Sequence, residues 1–211
     1  MIGKHFTQVV THQDLNDMNQ TDKKEQMLDL ENRLNRIIEW VKTCDNKATT
    51  LLSITALVLT ILLAGDYIMT GMQTIISSAY DPKLTEPSVC GIIAVICFVL
   101  SVLLLLASLV CCILVVRAKI SENQRKQPDI KTDSLIHFHN ISKLKYSQYK
   151  QALDAESDED YIEDLKSQIY INASRCKEKF DTYNRAVWLL CGAIPSALVY
   201  ILFTVLFLAQ R

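Results

Sequence analysis

Asp45 and Lys47 are the first residues that ask for a chemical reading. They sit in the stretch DNKATTLL (45–52), directly before an apolar run that opens at Ala48. On a helix, residues two apart lie about 200° round from each other, so this carboxylate and this amine cannot pair. Each is expected to meet its own neighbour near the start of the last apolar run, Arg185 for Asp45 and Asp181 for Lys47. The four are expected to form a hinge. His137 and His139 are the second candidate pair. Their spacing puts them on one side of a strand but not of a helix. A metal site would need further ligands, and none stands nearby in sequence, so a loop or surface role is favoured. The cysteines form no C-x-x-C pair. The five glycines are scattered and build no phosphate loop. No Ser or Cys has an identifiable base. Neither catalysis nor a cofactor is expected.

Hydroxyls offer a third possibility. Thr49, Ser53, Ala56 and Thr60 share one face of a helix. Small and hydroxylated residues at this spacing pack helices together in membranes. The other reading is that Thr49, Ser53 and Thr60 line a wet path.

The elements that must position these residues follow from the charge pattern. Residues 48–65, 88–116 and 186–210 carry no charged side chain. A helix needs roughly 20 apolar residues to cross a hydrocarbon core of about 30 Å. Backbone groups in lipid must bond within their own segment, so each run is expected to be a transmembrane helix. The first run is the shortest, with Asp66 at the far headgroups. The first 47 residues are polar, lack the apolar core of a signal peptide, and leave insertion to the first transmembrane helix. Residues 1–47 hold 7 Lys or Arg, residues 117–185 hold 13, the loop after the first run holds Lys83, and Arg211 completes the 22. The positive-inside rule places the first two segments in the cytoplasm and the C-terminus on the other side. Cys90, Cys97, Cys111, Cys112 and Cys191 fall in apolar runs as small apolar residues. Cys44 and Cys176 are expected to be cytoplasmic and reduced.

Met27, Leu30, Leu34, Ile37, Val41, Cys44 and Ala48 recur at spacings of 3 and 4, a heptad seam without a breaker. One helix is expected from about residue 23 to 65. Ser157 before Asp158, Glu159 and Asp160 reads as an N-cap with acids in the first turn. From there Ile162, Leu165, Ile169, Asn172, Cys176, Phe180, Tyr183 and Val187 carry a second seam into the last apolar run, where Pro195 is a candidate kink. Pro128 is expected to end the second transmembrane helix's extension. Residues 134–142 should be a loop or short strand, and 143–153 a short helix.

The expected fold is an all-α membrane protein with three transmembrane helices. The first and third are extended by cytoplasmic amphipathic stalks that form a small bundle. Its segments are a mobile N-terminal arm 1–22, a stalk 23–47, transmembrane helices 48–66, 88–116 and 186–210, an external loop 67–87 and a cytoplasmic helical region 117–185. Two amphipathic stalks also suit simple oligomerisation. Residues 117–153 hold eight basic and three acidic residues. That local field suits a phosphate ligand or anionic lipid equally.

The residues also carry a resemblance. DNKATTLL after an amphipathic helix, LIHFHNIS after the second apolar run, and DYIEDLKSQIYINASRCKEKFDTYNRAVWLL resemble the transmembrane effector family of Pycsar antiphage defence over about residues 26–200. The matching positions are Asp45, Lys47, Ala48, Leu51 and Leu52, then Phe138, Asn140 and Ile141, then Gln168, Ile169, Asn172, Ser174 and Lys179. HFHN departs from the family's aromatic pair and glycine. The resemblance implies a bacterial inner-membrane effector. A nearby cyclase or nucleotidyltransferase would make a cyclic nucleotide or oligonucleotide on infection, and the effector would bind it and breach the membrane. Residues expected to hold the signal are His137, His139, Asn140, Lys143, Lys145, Gln168, Asn172 and Arg175. Two rivals stand beside it: a channel of the same build held shut by its ligand or partner, and a non-channel scaffold. A three-helix protomer cannot enclose a water path, so a homo-oligomer of about four is expected.

Overall fold

The computed structural model describes residues 12–79, 89–117 and 130–209. The expected end of an extension at Pro128, the first half of the N-terminal arm and the end of the external loop lie outside them. Among the described residues the chain is helical, with helices α1 (His12–Ala64), α2 (Asp66–Ala79), α3 (Val89–Val116), α4 (Phe138–Ile141), α5 (Tyr146–Ala155) and α6 (Asp158–Ala209). Three of these, α1, α3 and α6, are long and apolar enough to cross a membrane.

Two compact units divide the chain: Met1–Trp40 with Ile120–Arg175, and Val41–Lys119 with Cys176–Arg211. Helices α1 and α6 contribute to both, because neither has a breaker where the polar seam gives way to the apolar run. Residues 12–22 contain neither Gly nor Pro, and α1 already runs through them, where an arm was expected.

In the first unit the buried face of α6 is turned partly away from the expected seam: Ile169 is half-buried, whereas Asp164, Ser167, Gln168 and Ile171 are buried. Leu34, Ile162, Leu165 and Ile171 are buried. Ser157 caps α6: its hydroxyl accepts from the Asp160 N–H (3.2 Å) and donates to Asp160 Oδ2 (2.7 Å). The Tyr161 hydroxyl donates to Glu31 Oε1 at 2.8 Å, and Lys23 pairs with Glu159. Segment 134–142, expected as loop or strand, is a bend-rich stretch ending in the single turn of α4.

In the second unit small side chains set the packing. The buried face of α3 is Gly91, Ala94, Ser101, Leu105, Ser108, Cys112 and Val115. It meets Ala186, Leu190, Ala193, Ala197 and Tyr200 of α6. Small residues let helix backbones approach where lipid supplies no hydrophobic drive. The close approach allows Ser108 Oγ to donate to the Ala186 carbonyl at 2.9 Å. Helix α2 falls within the segment expected as an external loop. It buries Gly71, Thr74 and Ile75, and Tyr200 donates to the Ile68 carbonyl at 2.7 Å.

Candidate functional site

In the first unit the polar centre is Asp164, fully buried on α6. A buried carboxylate must have donors, since an unsatisfied charge in the interior is costly. Its Oδ2 accepts from the Leu135 N–H (2.9 Å) and its Oδ1 from Gln168 Nε2 (3.4 Å). Ser134, also buried, accepts from the Ile136 and His137 N–H groups at 3.2 and 3.1 Å. Ser167 accepts from the Lys131 N–H at 3.1 Å, and Lys131 Nζ reaches Glu156 at 3.3 Å and the Asp160 carbonyl at 3.0 Å. These bonds fasten residues 131–137 to α6. The sequence reading missed Asp164, Ser134 and Ser167. The seam did not point to them: at 100° per residue Ser167 lies about opposite the Ile162–Leu165–Ile169 seam and Asp164 about 120° from it, and Ser134 lies off α6 altogether.

The eight residues expected to hold a ligand are not brought together as one set. His137 and Gln168 belong to this buried network. His137 Nδ1 accepts from the His139 N–H at 3.3 Å, and its ring stacks on Phe138 at 4.8 Å. Asn140 Nδ2 donates to the Thr132 carbonyl (2.7 Å), and Asn172 Nδ2 to the Gln168 carbonyl (2.8 Å). Asn172 and Arg175 continue the Gln168 face of α6, and the Arg175 guanidinium nitrogens Nε and Nη2 are buried. Lys143 and Lys145 are exposed, and His139 is half-buried. Among the described residues no group of three or more His, Cys, Asp and Glu stands together to hold a metal.

In the second unit the hinge residues have other partners than expected. Asp45 is bound by Lys179, whose ammonium also donates to the Val115 carbonyl at 2.7 Å. One cation thus ties α1 and α6 to the last turn of α3, where carbonyls lack helical partners. Cys44, Ala48 and Val115 are buried beside it, with Phe180 and Tyr183 packed against them. Asp181 instead accepts from Lys177 at 3.4 Å, and Arg185 and Lys47 are exposed. The correction is geometric. Asp181 and Arg185 stand about 140–180° round α6 from buried Cys176, whereas Lys179 is within about 60° of it. Lys47 lines a shallow groove of about 370 Å³ with Asn46, Thr50, Ile54 and Tyr183.

The three candidate pore residues all face outward. Thr49, Ser53 and Thr60 are exposed, and their hydroxyls donate to the carbonyls of Asp45 (2.9 Å), Thr49 (3.1 Å) and Ala56 (2.8 Å). Within one protomer, Thr55 rather than these three is the buried hydroxyl residue of the helix. Packing inside the protomer is therefore not their role.

The Pycsar effector protein domain (PycTM) matches residues 29–208. The Pycsar effector protein GmPycTM of Gulbenkiania mobilis is 26% identical over 187 residues, covering 83% of this chain and 89% of that protein. No solved structure matches.

Proposed function

The chain belongs to the Pycsar effector protein family, and from that premise we propose that it is a membrane effector of a cyclic-nucleotide antiphage defence. The observation that carries the reading is the combination of that membership with three helices fit to span a membrane and a separate polar helical unit. A cyclase encoded nearby makes the signal on infection. The polar unit, on the cytoplasmic side of the inner membrane, binds it. Binding favours one arrangement of α1 and α6 over another, and the shift reaches the apolar segments through these unbroken helices. The element has two states, and the ligand biases them by its differential affinity. The apolar segments of several copies then open a path or breach the bilayer. The protein acts by binding and rearrangement, with no reaction of its own, and its C-terminus faces the periplasm.

Dye release from liposomes that contain the purified full chain tests this. Release that rises on addition of a pyrimidine or purine cyclic mononucleotide is the expected result. Release that is constant without nucleotide and falls on its addition supports a channel held shut by its ligand. No release under any nucleotide, with the protein correctly inserted, rejects both.

A further inference from the structure

We propose that the exposed ring of Phe138 is the platform on which the base of the nucleotide stacks, with Lys143 and Lys145 taking its phosphate. This rests on the reading of the chain as a nucleotide-responsive effector. Phe138 is 69% exposed, although it lies between buried His137 and half-buried His139. Its presentation has a local cause. The His137 N–H is held by Ser134 Oγ at 3.1 Å, and its Nδ1 receives the His139 N–H at 3.3 Å, which fixes the start of α4. The imidazole lies against the phenyl ring with centroids 4.8 Å apart and planes at 25°. On the other flank the Asn140 amide is bound to the Thr132 carbonyl at 2.7 Å. One side of the ring is thus backed by a fixed imidazole while most of its surface meets solvent.

The charge around it selects the ligand. Residues 137–150 contain Lys143, Lys145 and Lys150 and no Asp or Glu. Lys143 follows the last turn of α4 directly, its N–H bound to the Asn140 carbonyl at 3.1 Å. Lys143 and Lys145 are exposed, and the next residue, Tyr146, is 80% exposed. An exposed aromatic ring followed at 143 and 145 by two exposed lysines, with Asp133 on its N-terminal side the nearest carboxylate in sequence, matches a planar group that carries negative charge. Every base offers a π-face, and a rigid ring receives it at little entropic cost. Compact ammonium groups suit a phosphate. In this arrangement His137 and Asn140 position the platform and do not touch the ligand.

The test uses the full chain in nanodiscs of neutral lipid, titrated calorimetrically with cyclic pyrimidine and purine mononucleotides. Phe138→Ala should weaken binding about 10- to 100-fold, the contribution of one stacked base. Phe138→Trp should keep or tighten it, with an unchanged melting temperature for both variants. Lys143→Gln with Lys145→Gln should weaken binding and flatten its salt dependence. If the unaltered chain binds but Phe138→Ala binds equally well, the platform is overturned and the functional reading stands. If the unaltered chain binds no cyclic nucleotide, both fail. Adhesion to anionic vesicles that Phe138→Ala abolishes, with nucleotide affinity unchanged, also overturns the platform and makes the patch a lipid contact.

Discussion

Lys179 is the residue on which the junction of α1, α3 and α6 turns. Its ammonium holds Asp45 and the Val115 carbonyl together, with 20% of its side chain exposed against 34% for Asp45. Such a pair is half-wet, so its Coulomb energy is screened, and its value lies in geometry. Lys179→Met should leave nucleotide binding within about twofold and reduce nucleotide-triggered dye release at least about tenfold. The exchange Asp45→Lys with Lys179→Asp should restore part of the release. Equal release from Lys179→Met and the unaltered chain would reject the coupling role. Asp164 plays the corresponding part in the first unit. Asp164→Ala takes the acceptor from the part-buried Leu135 N–H, which costs about 1 kcal/mol, and should lower the melting temperature and free residues 131–137 for hydrogen exchange. Tyr161 gives a pH signature. Burial, then its bond to Glu31, pushes the phenol up to about 12 from 10.0. A raised folded value means that the neutral phenol is favoured in the folded state. Its contribution is therefore complete below pH 10 and is lost as pH rises towards 12. The melting-temperature gap between the unaltered chain and Tyr161→Phe should be constant up to about pH 9 and shrink above it. Asp45 was legible in the sequence because it stands at the edge of an apolar run. Its partner was not. Three cations, Lys177, Lys179 and Arg185, lie near that edge, and only the packed face of α6 selects among them.

The long helices were legible because apolar runs and unbroken seams are strong signals at this length. The start of α1 at His12 rather than near residue 23 was hidden, because residues 12–22 are mostly polar and Leu15 and Met18 alone do not extend the seam. Helix α2 was hidden because it is short and lies between two apolar runs. Yet Ile68, Met72 and Ile75, at spacings of 4 and 3, already carry the period. It is held by a contact that sequence cannot display. A Cβ on Gly71 would stand 2.0 Å from Thr204 Cγ2 and 3.2 Å from its Cβ. Thr204 is β-branched on a helix, so its χ1 cannot swing freely aside. Gly71→Val should therefore push α2 from α6 and destabilise the protein by about 1–3 kcal/mol. Thr204→Ala on that background should recover most of the loss, and a melt of the detergent-solubilised protein reads both. A charge placed on the α1 stalk tests assembly only where the side chain is exposed. Leu34 is 8% exposed within its own unit, so Leu34→Glu would damage the protomer itself. The exposed Ile38 and Trp40 are the stalk positions where a charge probes assembly.

At the scale of the whole molecule, the outward face of α1 in its apolar segment is the feature one protomer leaves unexplained. Thr55 and Leu62 face inward, while Thr49, Ser53 and Thr60 face outward. Their hydroxyl protons are already bonded to carbonyls one turn back, so the stripe can sit in lipid without a stranded donor. The oxygens keep free lone pairs, so the same stripe can also be wetted. The side chains buried among these helices, Leu62, Ile75, Ala94, Leu105, Leu190, Ala193, Ala197 and Tyr200, are apolar but for the Tyr200 hydroxyl and offer no wet path inside one protomer. Under the proposed function, permeation would take several copies that turn this stripe towards a common axis, and a closed ring of about four is the arrangement we propose. Ser53→Leu with Thr60→Leu should leave insertion and melting temperature unchanged, because both positions are exposed, and should cut nucleotide-triggered release at least about tenfold. Ser53→Asp and Ser53→Lys should move the ratio of cation to anion permeability in opposite directions, as rings of charge do in pores. Mass photometry should give particles of several times 24.0 kDa after allowance for detergent. A chain that stays monomeric with and without nucleotide yet still leaks, or permeability ratios that ignore the charge at position 53, would remove this stripe from the path. The membrane would then be breached by disorder of the lipid around the helices rather than through a lined channel.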